Sequence, residues 1–171
     1  PETTFRGTFP CTVDQKRRLT VPARFAKALT PRAKRTLVAV RGQGKCLDVY
    51  ALDHWQTLEE KIRTTSFKDP ATRRGIRRWM ATMEEMLMDN QGRVTLSTLQ
   101  MEDVGIKSKV VVYGVLDHLE IYSLDSWREI LDDRNIISIE ETHDRLEDVK
   151  TLANVEVARL RNGSTPPDEQ T

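Results

Sequence analysis

The chain repeats itself. Asp14-Gln-Lys-Arg-Arg18-Leu-Thr-Val returns 75 residues later as Asp89-Asn-Gln-Gly-Arg93-Val-Thr-Leu, keeping the acid, the arginine four positions on, the threonine and the apolar alternation. Gly42 to Trp55 returns at Gly114 to Trp127 with an offset of 72: Gly42/Gly114, Leu47/Leu119, Tyr50/Tyr122, Leu52/Leu124, Asp53/Asp125 and Trp55/Trp127 are identical, while Asp48/Glu120 and Val49/Ile121 are conservative. Two blocks in the same order, with offsets only three residues apart, mean two copies of one supersecondary unit. Each copy is too short to bury both faces of a sheet alone, so the two are expected to share one core.

Within each copy the patterning predicts the same elements. A strand (Gly7 to Val13, Met83 to Met88) runs through the Asp-x-x-x-Arg segment into a short alternating strand (Leu19-Thr-Val, Val94-Thr-Leu). Pro22 opens a helix over Ala23 to Leu29, matched more weakly by Leu99 to Val104. Two hairpins follow, Leu37–Val40 with Leu47–Tyr50 and Val110–Tyr113 with Leu119–Tyr122, around Gly42, Gly44 and Gly114. Each copy closes with a helix announced by Asp53 or Asp125. Asp69-Pro70 starts a bridging helix in which Ile76, Trp79, Met80 and Met83 recur at helical spacing; Arg73, Arg74, Arg77 and Arg78 on its other faces could grip phosphate, though a solvated face is the preferred reading. The expected organisation is a first repeat over 1–66, the bridging helix over 67–83, a second repeat over 84–131, and an acidic helical extension with a frayed tail over 132–171. Leu146, Val149, Ala153, Val157 and Leu160 are the apolar positions of that extension.

Charge indicates what such a fold would meet. Residues 1–45 carry 11 Lys/Arg against 2 Asp/Glu, and residues 124–171 carry 6 against 12, on a chain whose net charge is +1. A basic half on a nearly neutral chain points to a polyanion, with nucleic acid foremost inside a cell; the alternative is a basic face that pairs with the acidic end. Lys16, Arg17 and Arg18 form the densest cluster at a turn, with Arg6, Arg24 and Lys27 nearby in sequence; Gln91 and Arg93 stand at the second turn with less charge, so weaker binding, or a role mainly in packing, is expected there. Arginine's planar fork suits guanine edges and phosphate, and lysine supplies a point charge. Asp14 and Asp89 are read as turn-organising, bonding the turn amides or the arginine four residues on.

No apolar run approaches the length of a membrane span, and two cysteines, Cys11 and Cys46, make no disulfide framework, so a cytoplasmic protein is expected. His54, His118 and His143 show no spacing suited to a metal, and no cofactor is expected. An enzyme would have to be built from Asp14 and Asp89, with Glu84 and Glu85, holding Mg²⁺ for phosphodiester cleavage. A non-enzymatic DNA binder is the preferred reading, and an antitoxin whose acidic C-terminal segment covers a partner is a further one.

Phe5-Arg-Gly7, Asp14-x-x-x-Arg18-Leu-Thr-Val-Pro22, the second Asp89-x-x-Gly-Arg93 and the doubled Tyr-x-Leu-Asp-x-Trp together resemble the MraZ family of bacterial transcriptional regulators, over about residues 5–131. The sequence departs from the family pattern in Arg17, where glycine is usual, and in Ser97, where proline is common; the segment beyond about residue 140 has no evident counterpart. The resemblance implies an α+β fold, two AbrB-like repeats forming a pseudo-two-fold swapped-hairpin β-barrel flanked by helices. It further implies a ring-shaped homo-oligomer (an octamer or similar) and a nucleoid-associated repressor that binds double-stranded DNA with direct repeats upstream of its own operon, in the cell-division and cell-wall gene cluster.

Overall fold

The structure is a computed structural model that describes residues 4–65, 69–133 and 137–147. The chain divides into two compact units, 1–131 and 132–171. The first unit holds β1 (Phe5–Thr12), β2 (Arg18–Thr20), α1 (Ala23–Ala28), a 3₁₀ turn (Pro31–Ala33), β3 (Thr36–Arg41), β4 (Cys46–Ala51), α2 (Leu52–Thr64), α3 (Pro70–Met80), β5 (Glu84–Leu87), β6 (Arg93–Thr95), α4 (Thr98–Asp103), β7 (Lys109–Leu116), β8 (His118–Ser123) and α5 (Leu124–Leu131). In the second unit, 139–147 is helical and mostly exposed, and the expected apolar positions beyond Leu146, like the tail, lie outside the described residues.

All pairing is antiparallel, and it crosses between the copies. The six-stranded sheet has the order β1-β7-β8-β4-β3-β5, and β2 pairs with β6 as a separate ribbon. The first strand of each repeat therefore lies against the third strand of the other: β1 on β7, β5 on β3. Among the described residues the ladder runs from β1 to β5 without joining those two strands. Both edges are blunted, β1 by Pro10, which has no N–H to offer, and β5 by its Glu84-Glu85 pair.

The registers locate a pseudo-two-fold axis. Leu19 faces Val94 in the ribbon, and Asp48 faces Glu120 in the sheet; each pair consists of equivalent positions of the two repeats. Alternation along β3 and β4 sends Leu37, Ala39, Leu47 and Val49 to an inner face, where they pack with Leu19, Val94, Phe25 and Leu96 in the main core. Val38 and Val40 point to the outer face, under Trp55 and Trp79. That double burial explains why β3 reads as an unbroken apolar run.

Two local expectations are settled by the caps. Asp53 does not cap α2: the helix starts after Ala51 with no side-chain cap, and Asp53 instead accepts from Thr30 Oγ1 at 2.6 Å, tying the helix to the segment before β3. Asp69 is a true cap, accepting from the amides of Ala71 (3.2 Å) and Thr72 (2.6 Å) ahead of Pro70 at the first helical position.

Candidate nucleic-acid interface

The two Asp-x-x-x-Arg segments fold into the same turn. Asp14 Oδ1 accepts from the amides of Lys16 (2.8 Å) and Arg18 (2.9 Å), while Oδ2 takes Arg18 Nε (2.8 Å) and Nη2 (2.7 Å). In the second copy Asp89 Oδ1 accepts from Gln91 N (2.8 Å) and Arg93 N (2.9 Å), and Oδ2 takes Arg93 Nε and Nη2, both at 2.8 Å. In each copy one carboxylate closes the turn with one oxygen and holds an arginine with the other. The arginine's bonds, side-chain then backbone, hold the Asp14 carboxyl below the ordinary carboxylate range. For Asp89 the Arg93 amide leads and its guanidinium follows. With Nε and Nη2 committed to the carboxylate, each guanidinium is a fixed donor rather than a swinging one.

The position before each arginine must be left-handed. Gly92 meets this with φ 75°, and Arg17, in the equivalent place, adopts φ 60°. The turn therefore survives the replacement of glycine, at a strain of about 1 kcal/mol. Arg17 O accepts from Leu96 N, and Gly92 O accepts from Val21 N, both at 2.9 Å, so each turn is bonded to the strand end of the other repeat. Arg17 Nη1 reaches the same neighbour, donating to Thr98 Oγ1 (3.1 Å) and, more weakly, Leu96 O (3.4 Å). The two turns stand on either side of the β2–β6 ribbon.

The swap redistributes the basic residues. Lys16 is exposed at the first turn, but Arg24 and Lys27, on α1, line an open groove with Gln91 and Gly92 of the second turn. Arg35, which belongs to no motif in the sequence, also reaches the second turn: it donates to Asn90 Oδ1 (3.2 Å) and to the Asp89 carbonyl. The second turn is thus not poor in positive charge, because the first repeat supplies it. Arg6 is exposed on β1, opposite Val115, roughly 25 Å along the extended strand from Asp14, and does not join the first turn.

Asp14 and Asp89 are each engaged within their own turn, so the Mg²⁺-holding arrangement considered for an enzyme is not assembled from them. Among the described residues one group combines three side chains able to hold a metal, Asp48, His118 and Glu120, on the outer face of the sheet. There Glu120 first, with Asp117, raises the His118 pKa to about 9; His118 holds the Glu120 carboxyl below its ordinary range, and burial pushes that of Asp48 up. Sequence spacing hides this group because Asp48 comes from the other repeat.

The family described as "MraZ protein, putative antitoxin-like" matches the chain over residues 4–78 and 80–150. The chain belongs to the MraZ family. The MraZ match breaks at residue 79, within α3, and continues to residue 150, further than the resemblance over 5–131 and into the segment where no counterpart was evident. Relatives named "Transcriptional regulator MraZ" include one from Alkaliphilus metalliredigens, 32% identical over 145 residues that cover 85% of this chain and 98% of the relative. Another from Desulfitobacterium hafniense is 38% identical over 125 residues, 73% of this chain and 85% of the relative. One from Corynebacterium urealyticum is 35% identical over 125 residues, with the same shares.

Proposed function

We propose that this chain is a sequence-specific DNA-binding transcriptional regulator, not an enzyme, and that the paired turns are its reading face. The observation that carries this is the duplicated turn: two carboxylate-clamped arginines, Arg18 and Arg93, flank one ribbon, surrounded by Lys16, Arg17, Arg24, Lys27 and Arg35. Clamped guanidiniums read bases with little entropy to lose, and the surrounding cations supply the salt-sensitive phosphate attraction. Names of the relatives support the regulatory role.

The finer reading is that the protein represses its own operon, in the cell-division and cell-wall cluster, from direct repeats, as a nucleoid-associated, head-to-tail ring (an octamer or similar) of pseudo-two-fold barrels. The turns support the direct repeats: Lys16-Arg17-Arg18 and Gln91-Gly92-Arg93 share a backbone but not a chemistry, so one subunit presents a directional face. Head-to-tail neighbours repeat that direction, and each reaches the same groove again after about 10 to 10.5 base pairs. Inserting about five base pairs between two repeats turns the second to the far side of the duplex. Affinity should then fall to that of a single repeat; unchanged affinity, or equal binding to an inverted repeat, contradicts the head-to-tail arrangement. The antitoxin-like description of the family favours a second reading, in which the acidic C-terminal segment covers a small basic partner; co-purification of such a partner tests it.

A further inference from the structure

The outer face of the sheet carries chemistry that DNA recognition does not use. β4 and β8 pair so that Cys46 faces Tyr122, Asp48 faces Glu120, and the intervening Leu47, Val49, Leu119 and Ile121 point into the main core. The pseudo-axis therefore passes between two carboxylates. Like charges directly opposite on paired strands destabilise a sheet, and the balancing group beside this pair is the His118 imidazole. Among the described residues neither carboxylate has a lysine or arginine within salt-bridge distance.

His118 lies two residues before Glu120 and so on the same face, its Nε2 3.7 Å from Glu120 Oε1. One donor atom from each of Asp48, His118 and Glu120 lies within 4.8 Å of the others. His118 and Glu120 are oriented by groups outside the three, and Asp48 Oδ1 accepts from Cys46 Sγ at 3.6 Å. His118 Nδ1 is 2.8 Å from Asp117 Oδ1, which fixes the ring and leaves Nε2 toward the carboxylates. Tyr122 donates to Glu120 Oε2 at 2.8 Å. Asp48 Oδ1 lies against Gly42, where an added Cβ would fall 2.1 Å from that oxygen. The Tyr50 ring stacks on the imidazole, with centroids 4.9 Å apart and planes 22° apart. A histidine backed by a carboxylate, beside carboxylates with their own hydrogen-bond donors, is the outer-shell pattern of a metal site.

We propose that Asp48, His118 and Glu120 bind one borderline divalent cation of the zinc, cobalt or nickel kind, on the pseudo-two-fold axis where the two repeats meet. The ion takes the place of the proton on His118 Nε2, and that proton leaves to solvent. Donors about 2.0 to 2.2 Å from a common ion are closer together than the free group, a closure within reach of side-chain rotation. One imidazole with two carboxylates suits this class better than Mg²⁺, which prefers an octahedral shell of oxygens. The ion bonds β4 of one repeat to β8 of the other, on the face away from the β2–β6 ribbon, so its binding is measurable without DNA.

The test uses the full chain stripped with a chelator and titrated with Zn²⁺ alone, by calorimetry and by thermal unfolding. Expected are one saturable Zn²⁺ per chain in the micromolar range and a rise in Tm that equal Mg²⁺ does not give. Asp48→Asn and Glu120→Gln should each weaken Zn²⁺ at least tenfold, while His143→Ala leaves it unchanged. Absence of saturable binding, or affinity unchanged in both carboxylate variants, overturns the site. Should the variants fail to fold, X-ray absorption of the wild-type complex decides: a shell of one imidazole and oxygens supports the assignment, and sulfur or several imidazoles refute it.

Discussion

Arg17 occupies a backbone conformation that the second copy gives to Gly92, with φ 60° against 75°. Left-handed geometry costs a side chain of this kind about 1 kcal/mol, and glycine loses a similar amount through the greater freedom of its unfolded state. Arg17→Gly is therefore expected to change stability by less than about 1 kcal/mol, while removing one cation from the DNA face and flattening the salt dependence of binding by about 0.9 for each phosphate no longer neutralised. Thermal unfolding and a salt titration check both halves; a large fall in Tm would make Arg17 a structural pin through Thr98 and Leu96. His118 offers a pH test in metal-free protein. Faced by Glu120, Asp117, Asp48 and Tyr50, it has a pKa raised from 6.5 to about 9 in the fold. Its contribution is complete below about 6.5, where folded and unfolded chains are both protonated, and is lost as pH rises through about 9. Tm should decline across that window in the wild type and less in His118→Gln; parallel curves would show that the imidazolium contributes nothing.

At the scale of elements, the exchange of first strands sets what can fold alone. Among the described residues β1 pairs only with β7, and β5 only with β3, so residues 1–66 contain a strand whose partner lies in the other repeat. Expressed separately, this fragment should be a dimer in solution, each copy supplying to its mate what the second repeat supplies in the full chain; a folded monomer by light scattering contradicts the exchange. Strands and helices themselves are legible in the sequence to within a few residues, because apolar periodicity and Asp69-Pro70 act locally. Their partners are not, since pairing across copies leaves no local trace. Arg24 and Lys27 show the consequence: six and nine residues after Arg18, they are neighbours of that turn in sequence, yet the chain crosses the ribbon through β2 and delivers them to the second turn. Arg35 and the Asp48–His118–Glu120 group are hidden for the same reason, each being completed by the opposite repeat. The turn carboxylates are readable because their partners lie within four residues.

Across the whole molecule, duplication supplies the two turns of the proposed DNA-reading face, and the basic half, with 11 Lys/Arg against 2 Asp/Glu over residues 1–45, supplies its charge. Both turns, rather than the first alone, then contribute to affinity, since Arg24, Lys27 and Arg35 stand at the second. The most direct measurement is the affinity, as a function of salt, for duplex DNA from immediately upstream of the protein's own gene, comparing the wild type with a Lys16→Ala/Arg18→Ala/Arg93→Ala variant shown to be folded by circular dichroism. Weaker binding is predicted at every salt concentration, with a slope of log affinity against log salt reduced by about 0.9 for each phosphate left without its cation. A folded variant with wild-type affinity and an unchanged slope would contradict a reading face built from the two turns.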